Sequence, residues 1–327
     1  MTAAAPPCLA ESLNDTLRDL MAGDDSVVLI GQDIGRLGGV FRVTRGLQEK
    51  FGRDRVRDAI LAESAIVGQA IGMSMTGLKP VCEIQFEGFV YPAMNQIVTQ
   101  AARMTRRWND DLSLNLVIRV PVGGGIRAVE HHSESNEAYF AHTPGLHVAY
   151  PSSPSDAATM LRYSCNLGSP VVFFEPKRLY WKRRRQSREA LDPASDLSAR
   201  IVRQGTDITV AGFGALLEEV LAAADIVAPT IDVEVIDLRW VAPMDTDTVL
   251  ASVARTGRLL VTHEAVGFAG VGAELAATVA ERGFRHLRSP VRRLAAPRRV
   301  YPPADFENDY LIGTPDIVNA IKEMCGE

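Results

Sequence analysis

The sequence predicts an α/β protein of two domains, the first built on a doubly wound and mainly parallel sheet. Three observations carry this prediction. Apolar runs rich in β-branched residues alternate with amphipathic stretches along most of the chain, which is the pattern of βαβ units. The alternation breaks after Trp181, at a basic stretch without apolar periodicity. With 327 residues, the chain is also long for a single hydrophobic core.

The N-terminal part alternates buried strands with helices, as expected for a parallel sheet that is covered on both faces. The predicted strands are Ser26–Gly31, Pro80–Phe86, Asn115–Pro121, His147–Pro151 and Pro170–Glu175. The predicted helices are Leu9–Met21, Ser64–Met75, Pro92–Arg107 and Ser155–Asn166.

The C-terminal part shows a second and shorter alternation, which predicts a smaller α/β domain. Its predicted strands are Asp207–Phe213, Asp232–Leu238, Arg258–Glu264 and Val291–Ala295. Its predicted helices are Leu216–Ile226, Asp245–Ala254, Val271–Arg282 and Pro315–Met324. The chain is therefore divided into a disordered tail (residues 1–8), an N-terminal domain (9–185), a linker (186–200) and a C-terminal domain (201–327).

Composition and charge exclude several classes of protein. A net charge of −5 gives no basis for nucleic-acid binding, so the basic run Lys177–Arg188 is interpreted as a solvated linker. No apolar run approaches the roughly 20 residues of a membrane span. The start, Met1–Pro7, lacks the features of a signal peptide, and a cytoplasmic location is expected. The four cysteines are far apart and form no CxxC motif, which argues against a zinc or redox site.

Glu63 is the first candidate for a functional residue. It is a single carboxylate at the start of an almost uncharged helix, and a buried carboxylate is costly without a partner. The residue could also serve only the positive end of the helix dipole. Gly68 and Gly72 lie on one face of the same helix, which indicates close packing either within the domain or with another subunit. Further along the chain, Phe86 is expected in the core.

A second candidate is the histidine pair His131–His132, which follows the glycine-rich segment Gly123–Gly125 after a buried strand. The glycines lack the GxGxxG spacing and no helix begins directly after them, so a phosphate site is not predicted. Two adjacent histidines without a third ligand at metal spacing are also poor evidence for zinc.

Several short motifs follow one another in a characteristic order. In sequence they are Gly31-Gln32-Asp33-Ile34-Gly35, Gly38-Gly39-Val40-Phe41, Leu61-Ala62-Glu63, Glu83-Ile84-Gln85-Phe86, His131-His132-Ser133, Ala141-His142-Thr143-Pro144-Gly145-Leu146 and Phe174-Glu175-Pro176-Lys177. Through them, from about Leu9 to about Ile321, the chain resembles the β subunits of the heterotetrameric 2-oxo acid dehydrogenase E1 component, within the transketolase-like thiamin diphosphate enzymes. It is most similar to the branched-chain members, through Glu130–His132, Glu137–Tyr139 and Glu175–Trp181.

The resemblance implies roles for individual residues. Glu63, beside Leu61, would hydrogen-bond the aminopyrimidine of thiamin diphosphate and favour the tautomer that activates the cofactor. Phe89 would stack on the same ring, and Gln85 could hydrogen-bond around it. His132 would act as the acid toward substrate or the lipoyl group, while His131 orients the loop. Glu134 stands where many relatives have Gln, and a carboxylate close by would raise the pKa of His132.

The resemblance also implies partners. Thiamin diphosphate enzymes hold the diphosphate through Mg²⁺ and a Gly-Asp-Gly motif, which this chain lacks. Mg²⁺ would therefore lie on an E1 α subunit, in an α2β2 heterotetramer that shares the cofactor, and no metal ligand is assigned here. Relatives hold potassium partly through an acidic loop residue, but the corresponding loop Asn166–Pro170 has no carboxylate, so a potassium site is doubtful.

The expected reaction is the oxidative decarboxylation of a small, branched-chain 2-oxo acid, followed by acylation of the lipoyl group on an E2 acyltransferase. The alternatives are pyruvate or acetoin dehydrogenase, a split transketolase, or an inert scaffold that docks E2. The C-terminal domain is expected to serve assembly. E2 would dock at Asp316, Glu323 and Glu327, or else on the Arg-rich stretch Arg282–Arg299.

Overall fold

A computed structural model describes residues 6–108, 112–183 and 197–326, and it contains two twisted sheets flanked by helices. The first sheet has the strand order β10-β5-β6-β4-β3-β1-β2, and all its pairs are parallel except β10 with β5. Its strands are β1 (Val27–Gly31), β2 (Val56–Asp58), β3 (Lys79–Glu83), β4 (Val117–Val122), β5 (His147–Ala149), β6 (Val171–Pro176) and β10 (Trp240–Ala242).

Six α-helices of the N-terminal part accompany this sheet. They are α1 (Leu9–Gly23), α2 (Leu47–Phe51), α3 (Glu63–Met75), α4 (Ala102–Arg107), α5 (Glu137–Ala141) and α6 (Pro154–Ser164). Short 3₁₀ helices cover Glu87–Ala93, Glu130–His132 and Lys177–Leu179.

The second sheet has the order β12-β11-β8-β9-β7, and only β7 runs antiparallel to its neighbour. Its strands are β7 (Arg200–Arg203), β8 (Ile208–Gly212), β9 (Val233–Asp237), β11 (Leu259–Val266) and β12 (Arg292–Ala296). The α-helices of this part are α7 (Leu216–Val227), α8 (Thr246–Thr256), α9 (Val271–Arg282) and α10 (Thr314–Cys325). Two sheets with interleaved helices confirm the predicted fold class.

The predicted helix Pro92–Arg107 is wrong as a single α-helix. The chain forms the 3₁₀ helix Glu87–Ala93, then a π-helix over Asn95–Ala101, and only then α4. Pro92 lies inside the 3₁₀ segment and has no N–H to donate, which prevents a regular α-helix through this point. The irregular segment begins shortly after the candidate site residue Gln85 and contains Phe89.

Three short strands were not predicted, because three or four residues carry too little periodicity. β2 and β10 lie at the two edges of the first sheet, and β10 comes from the C-terminal part of the chain. Trp240 pairs with Ala149 on β5, and its side chain is fully buried. The third, β7, begins at Arg200, the last residue of the predicted linker; linker residues 186–196 lie outside the described ranges.

The first sheet contains a charged cluster in its centre. Arg119 on β4 donates to both oxygens of Glu175 on β6, at 2.6 and 2.8 Å, and to Glu83 on β3 at 2.7 Å. The hydroxyl of Tyr180 donates to Glu175 at 2.5 Å. All four side chains are buried. One guanidinium therefore compensates two carboxylates, and burial raises the pKa of Glu83 despite this partner.

The second sheet contains a buried histidine, which leads to a prediction about acid stability. His263 on β11 stacks on Phe213, and burial lowers its pKa to about 4. The folded protein keeps this ring neutral, whereas the unfolded chain protonates it below about 6.5. As the pH falls from about 6.5 to about 4, this residue should therefore remove stability, on the order of 3 kcal/mol in total.

The measurement is urea denaturation between pH 7 and pH 4 for the wild-type chain and His263→Asn. The wild-type chain should lose stability toward acid more steeply than the variant. His286→Asn is the control, because His286 is exposed. Parallel pH curves for the wild type and His263→Asn would show that His263 does not cause the acid sensitivity.

Candidate active site

Glu63 is the first residue of α3 and is partly exposed. The helix is preceded by Ala62, which offers no side-chain cap. Within the described ranges the Glu63 carboxylate has no hydrogen-bond or ion-pair partner, so it does not bind the free N–H groups of its own helix. Leu61 beside it is 73% exposed. A free carboxylate next to exposed apolar surface is available to a group outside this chain.

The face of α3 that carries Gly68 and Gly72 is open. A Cβ added at Gly72 would meet no atom within 4 Å, and one at Gly68 would meet only the Gln96 side chain at 3.8 Å. Met75 at the end of the helix is 43% exposed. The two glycines therefore do not serve helix packing within the domain, and contact with another subunit stays a prediction.

Four aromatic rings form a cluster after the end of β3. The Phe86 ring lies 4.2 Å from the His132 ring, and Phe89 meets His132 edge-on at 5.3 Å, measured between ring centroids. His131 lies 4.3 Å from His132 and 6.0 Å from Phe89. Gln85, in the same segment, donates to the Asp33 carboxylate at 3.2 Å. The structure thus brings Gln85, Phe89 and His132 into one region.

Phe86 has a different place from the one expected. It is not a core residue: its side chain is half-buried, and its ring is closer to His132 than that of Phe89. The alternation of a strand would have placed it inside, but β3 ends at Glu83 and the chain turns into a 3₁₀ helix at Glu87.

The electrostatic expectation for His132 was wrong. The pKa of His132 is lowered, mainly by burial and then by the neighbouring charges of His131 and Lys177. Glu134 is not among the groups that shift it. Burial raises the pKa of Glu134 itself. His132 is therefore biased toward its neutral form.

A buried ion pair lies beneath the aromatic cluster and was missed by the sequence analysis. Lys177 Nζ contacts Glu87 Oε2 at 2.5 Å, and the ammonium lies 5.4 Å from the Phe86 ring. Burial raises the pKa of Glu87 to about 7 and lowers that of Lys177. The pair joins the 3₁₀ helix of Phe89 to the end of β6. The two residues are 90 positions apart, and no local sequence pattern identifies an ion pair over that distance.

The basic run was also interpreted wrongly in its first half. Lys177 is 3% exposed, and Arg178 pairs with Glu264 at 2.5 Å. Lys182 and Arg183 form ion pairs with Glu218 and Glu11. The residues from 184 onward lie outside the described ranges. At least the first seven residues of the run therefore belong to the folded structure rather than to a solvated linker.

The residues present fit the aminopyrimidine end of thiamin diphosphate. The free Glu63 carboxylate and the half-buried Phe89 ring provide the acid and the apolar face that such a ring needs. No group of three or more His, Cys, Asp or Glu side chains that could hold a metal occurs in residues 6–108, 112–183 and 197–326. In the loop considered for potassium, the N–H of Gly168 donates to the side-chain oxygen of Asn115 at 2.8 Å.

Comparison with known proteins agrees with this architecture. Residues 7–182 match the transketolase pyrimidine binding domain, and residues 197–317 match the transketolase C-terminal domain. A solved structure described as a split gene transketolase, an inactive β4 tetramer, superposes with a TM-score of 0.81 at 19% identity, covering 98% of this chain and 99% of that one. The match defines the fold as that of the transketolase-like proteins.

Two relatives carry the comparison further. The pyruvate dehydrogenase E1 component subunit beta of Leifsonia xyli is 48% identical, over 93% of this chain and 90% of the relative. The 3-methyl-2-oxobutanoate dehydrogenase subunit beta of Mycobacterium tuberculosis is 42% identical, over 97% and 91%. The chain belongs to the family of 2-oxo acid dehydrogenase E1 β subunits, and the predicted resemblance is confirmed.

In the described ranges, no helix is both long and apolar enough to cross a bilayer.

Proposed function

We propose that this chain is the β subunit of an α2β2 E1 heterotetramer, which decarboxylates a 2-oxo acid oxidatively and acylates the lipoyl group of an E2 acyltransferase. The observation that carries the proposal is the unpaired Glu63 carboxylate at an open helix face, in a chain without the Gly-Asp-Gly motif for Mg²⁺. This is half of an active site, and an α subunit would complete it in the cytoplasm.

When bound, thiamin diphosphate supplies the nucleophilic carbon and stabilises the negative charge left by CO₂. This chain contributes the groups that transfer protons and the surface that orients the aminopyrimidine ring. Glu63 would hold the aminopyrimidine through a carboxylate oxygen that can share a proton with it, and Leu61 and Gln85 would flank the place of this ring. Phe89 offers an apolar face that orients the ring. His132, neutral at rest, takes up a proton on its imidazole and delivers it to the substrate oxygen or to a lipoyl sulfur.

The substrate we propose is a branched-chain 2-oxo acid, supported by the segments Glu130–His132, Glu137–Tyr139 and Glu175–Trp181. The alternative is pyruvate, supported by the relative with the higher identity. Part of the pocket would lie on the α subunit. Kinetics of the assembled tetramer with both acids decide between them, through the ratio of the two kcat/KM values.

The proposed function predicts that the purified chain alone is inactive. It can bind the aminopyrimidine end but has no group that anchors the diphosphate. Mixing it with its α subunit, thiamin diphosphate and Mg²⁺ should restore decarboxylation, measured with an artificial electron acceptor. Robust cofactor-dependent turnover by this chain alone would contradict the half-site proposal, as would an inactive tetramer with every 2-oxo acid tested.

His132→Ala is expected to slow transfer to the lipoyl domain at least as much as it slows decarboxylation. The reason is that the dithiolane sulfur must be protonated as its ring opens, whereas Glu63 already serves activation of the cofactor. Stopped-flow and single-turnover measurements on the tetramer separate the two steps. The control is His142→Ala, because His142 is exposed and lies at the end of α5 rather than in the histidine turn. Full rates in both steps would remove His132 from the proposed mechanism.

The docking site of E2 stays a proposal, and two of the acids assigned to it have partners within the chain. Asp316 already accepts the Gly313 N–H at the start of α10, at 2.9 Å, and Glu323 pairs with Arg292. Glu327 lies outside the described ranges. Arg292 belongs to the Arg-rich stretch Arg282–Arg299, so the Glu323–Arg292 pair joins the two candidate surfaces, and both stay proposals for a partner of opposite charge.

A further inference from the structure

The loop that precedes the histidine pair is held by two acidic residues of the C-terminal part of the chain. Glu264 lies on β11, and its Oε1 accepts a hydrogen bond from the N–H of Gly124 at 2.5 Å. Glu307 lies in the 3₁₀ helix Ala304–Asp309, and it accepts the N–H groups of Gly125 and Arg127 at 3.0 and 3.2 Å. The loop N–H groups are therefore satisfied by carboxylates more than 130 residues away in sequence, which leaves none of these three groups for a phosphate.

Both carboxylates are fixed by further partners. Glu307 is 4% exposed and also accepts the hydroxyl of Tyr301 at 2.8 Å. The second oxygen of Glu264 pairs with Arg178 at 2.5 Å. A buried carboxylate with several donors keeps one position, because any move leaves a donor unsatisfied. The two acids thus act as fixed points rather than as mobile surface charges.

The glycines fit this arrangement closely. A Cβ at Gly124 would lie 1.9 Å from the Tyr301 hydroxyl. A Cβ at Gly123 would lie 2.7 Å from Glu264 Oε1, and this residue has a φ of +85°. Residues that carry a side chain rarely adopt that backbone conformation. The glycine run is therefore explained by contact between loop and second domain, and not by anion binding.

The same loop is tied to the turn that carries His132. The N–H of Gly123 donates to the carbonyl of Glu134 at 3.0 Å. The hydroxyl of Ser133 donates to the carbonyl of Ala128 at 3.2 Å, and the N–H of His132 donates to Val129 at 2.9 Å. A displacement of the loop therefore moves both ends of the histidine turn.

We propose that Glu264 and Glu307 are positioning residues, which hold the Gly123–Arg127 loop in the conformation that presents His132 to the site. The inference rests on the proposed function only for the role of His132. It assigns the C-terminal domain a part in the chemistry, beyond assembly. If the two acids only stabilised the contact between the domains, their substitution would lower the stability of the protein but would not change the position or the pKa of His132.

The experiment uses the full chain, alone and assembled with its α subunit, with Glu307→Gln and Glu264→Gln. A glutamine has a single acceptor oxygen, whereas Glu307 accepts from three donors. The matched control is Glu281→Gln, because Glu281 is an exposed acid on α9. The first readout is the rate of tryptic cleavage after Arg127, which requires local opening of the loop and no activity.

Both loop variants should be cleaved after Arg127 at least about tenfold faster than wild type and Glu281→Gln. In the tetramer their kcat should fall about 10- to 100-fold with little change in KM, because a displacement near 1 Å costs about that much. The alkaline limb of the kcat profile, on which His132 loses the proton that it donates, should move to higher pH, because a loosened turn exposes His132 to water and removes the burial that lowers its pKa.

Cleavage at the wild-type rate in both variants would overturn the proposal, and so would an unchanged kcat in both. If Glu307→Gln does not fold, Glu264→Gln carries the same test. A wild-type tetramer that turns over no 2-oxo acid would overturn the proposed function, while the cleavage rates would still decide whether the two acids hold the loop.

Discussion

Glu63→Gln should leave the heterotetramer assembled and remove most of its activity, by about 10²- to 10⁴-fold in kcat. The amide has the size of the carboxyl but cannot share a proton with the aminopyrimidine. The open position of the side chain supports this, because no partner within the described ranges would be lost on substitution. The measurement is steady-state decarboxylation by the purified tetramer, with assembly checked by gel filtration.

The control for this prediction is Glu49→Gln, an exposed acid in the first turn of the short helix α2. It tests whether the loss of one negative charge at a helix start is enough to reduce the activity of the tetramer. Stability of the two variants should be nearly equal, since exposed charges near a helix start contribute only about 0.3–1 kcal/mol. Near-normal turnover by the assembled Glu63→Gln tetramer would mean that Glu63 serves the helix dipole alone.

Arg119→Leu is expected to destabilise the N-terminal domain by about 3–5 kcal/mol at neutral pH. The substitution leaves the buried carboxylates of Glu83 and Glu175 without their cation. The loss should shrink as the pH falls, because protonated carboxyls need no positive partner and burial already raises the pKa of Glu83. Urea denaturation at several pH values, monitored by tryptophan fluorescence, measures both the loss of stability at neutral pH and its decrease toward acid.

Two variants make this prediction specific. Arg282→Leu breaks the exposed pair with Asp247 and should cost less than about 1 kcal/mol. Combining Arg119→Leu with Glu83→Gln and Glu175→Gln should recover part of the lost stability, because the buried charges then disappear together. If Arg119→Leu cost no more than Arg282→Leu at neutral pH, the cluster would not stabilise the sheet.

The sequence was informative where a signal repeats locally. Helix α9 has the predicted bounds, Val271–Arg282, because apolar residues recur on one face between capping residues. The motif around Glu63 was equally local, and the structure places this residue at the start of α3 as expected. The order of such motifs was enough to predict the family.

What the sequence did not reveal depends on contacts over long distances. Glu264 and Glu307 meet the glycine loop from 140 and 182 residues away, and neither lies in a motif. The lowered pKa of His132 follows from burial, then from the adjacent His131 and from Lys177, which is distant in sequence, and not from the nearby Glu134 that the order of residues suggested. Charges adjacent in sequence need not be those adjacent in space.

The strand β10 has a consequence for how the protein is made. On the ribosome, residues 9–185 emerge well before Trp240 and Ala242, so the edge strand β5 lacks its antiparallel neighbour until roughly sixty more residues have been synthesised. During that interval the nascent chain presents an unpaired strand edge, a surface on which aggregation begins. A messenger truncated at the linker would release this incomplete sheet as a product. Chaperones that hold nascent chains should therefore be needed most between the synthesis of the linker and that of Trp240.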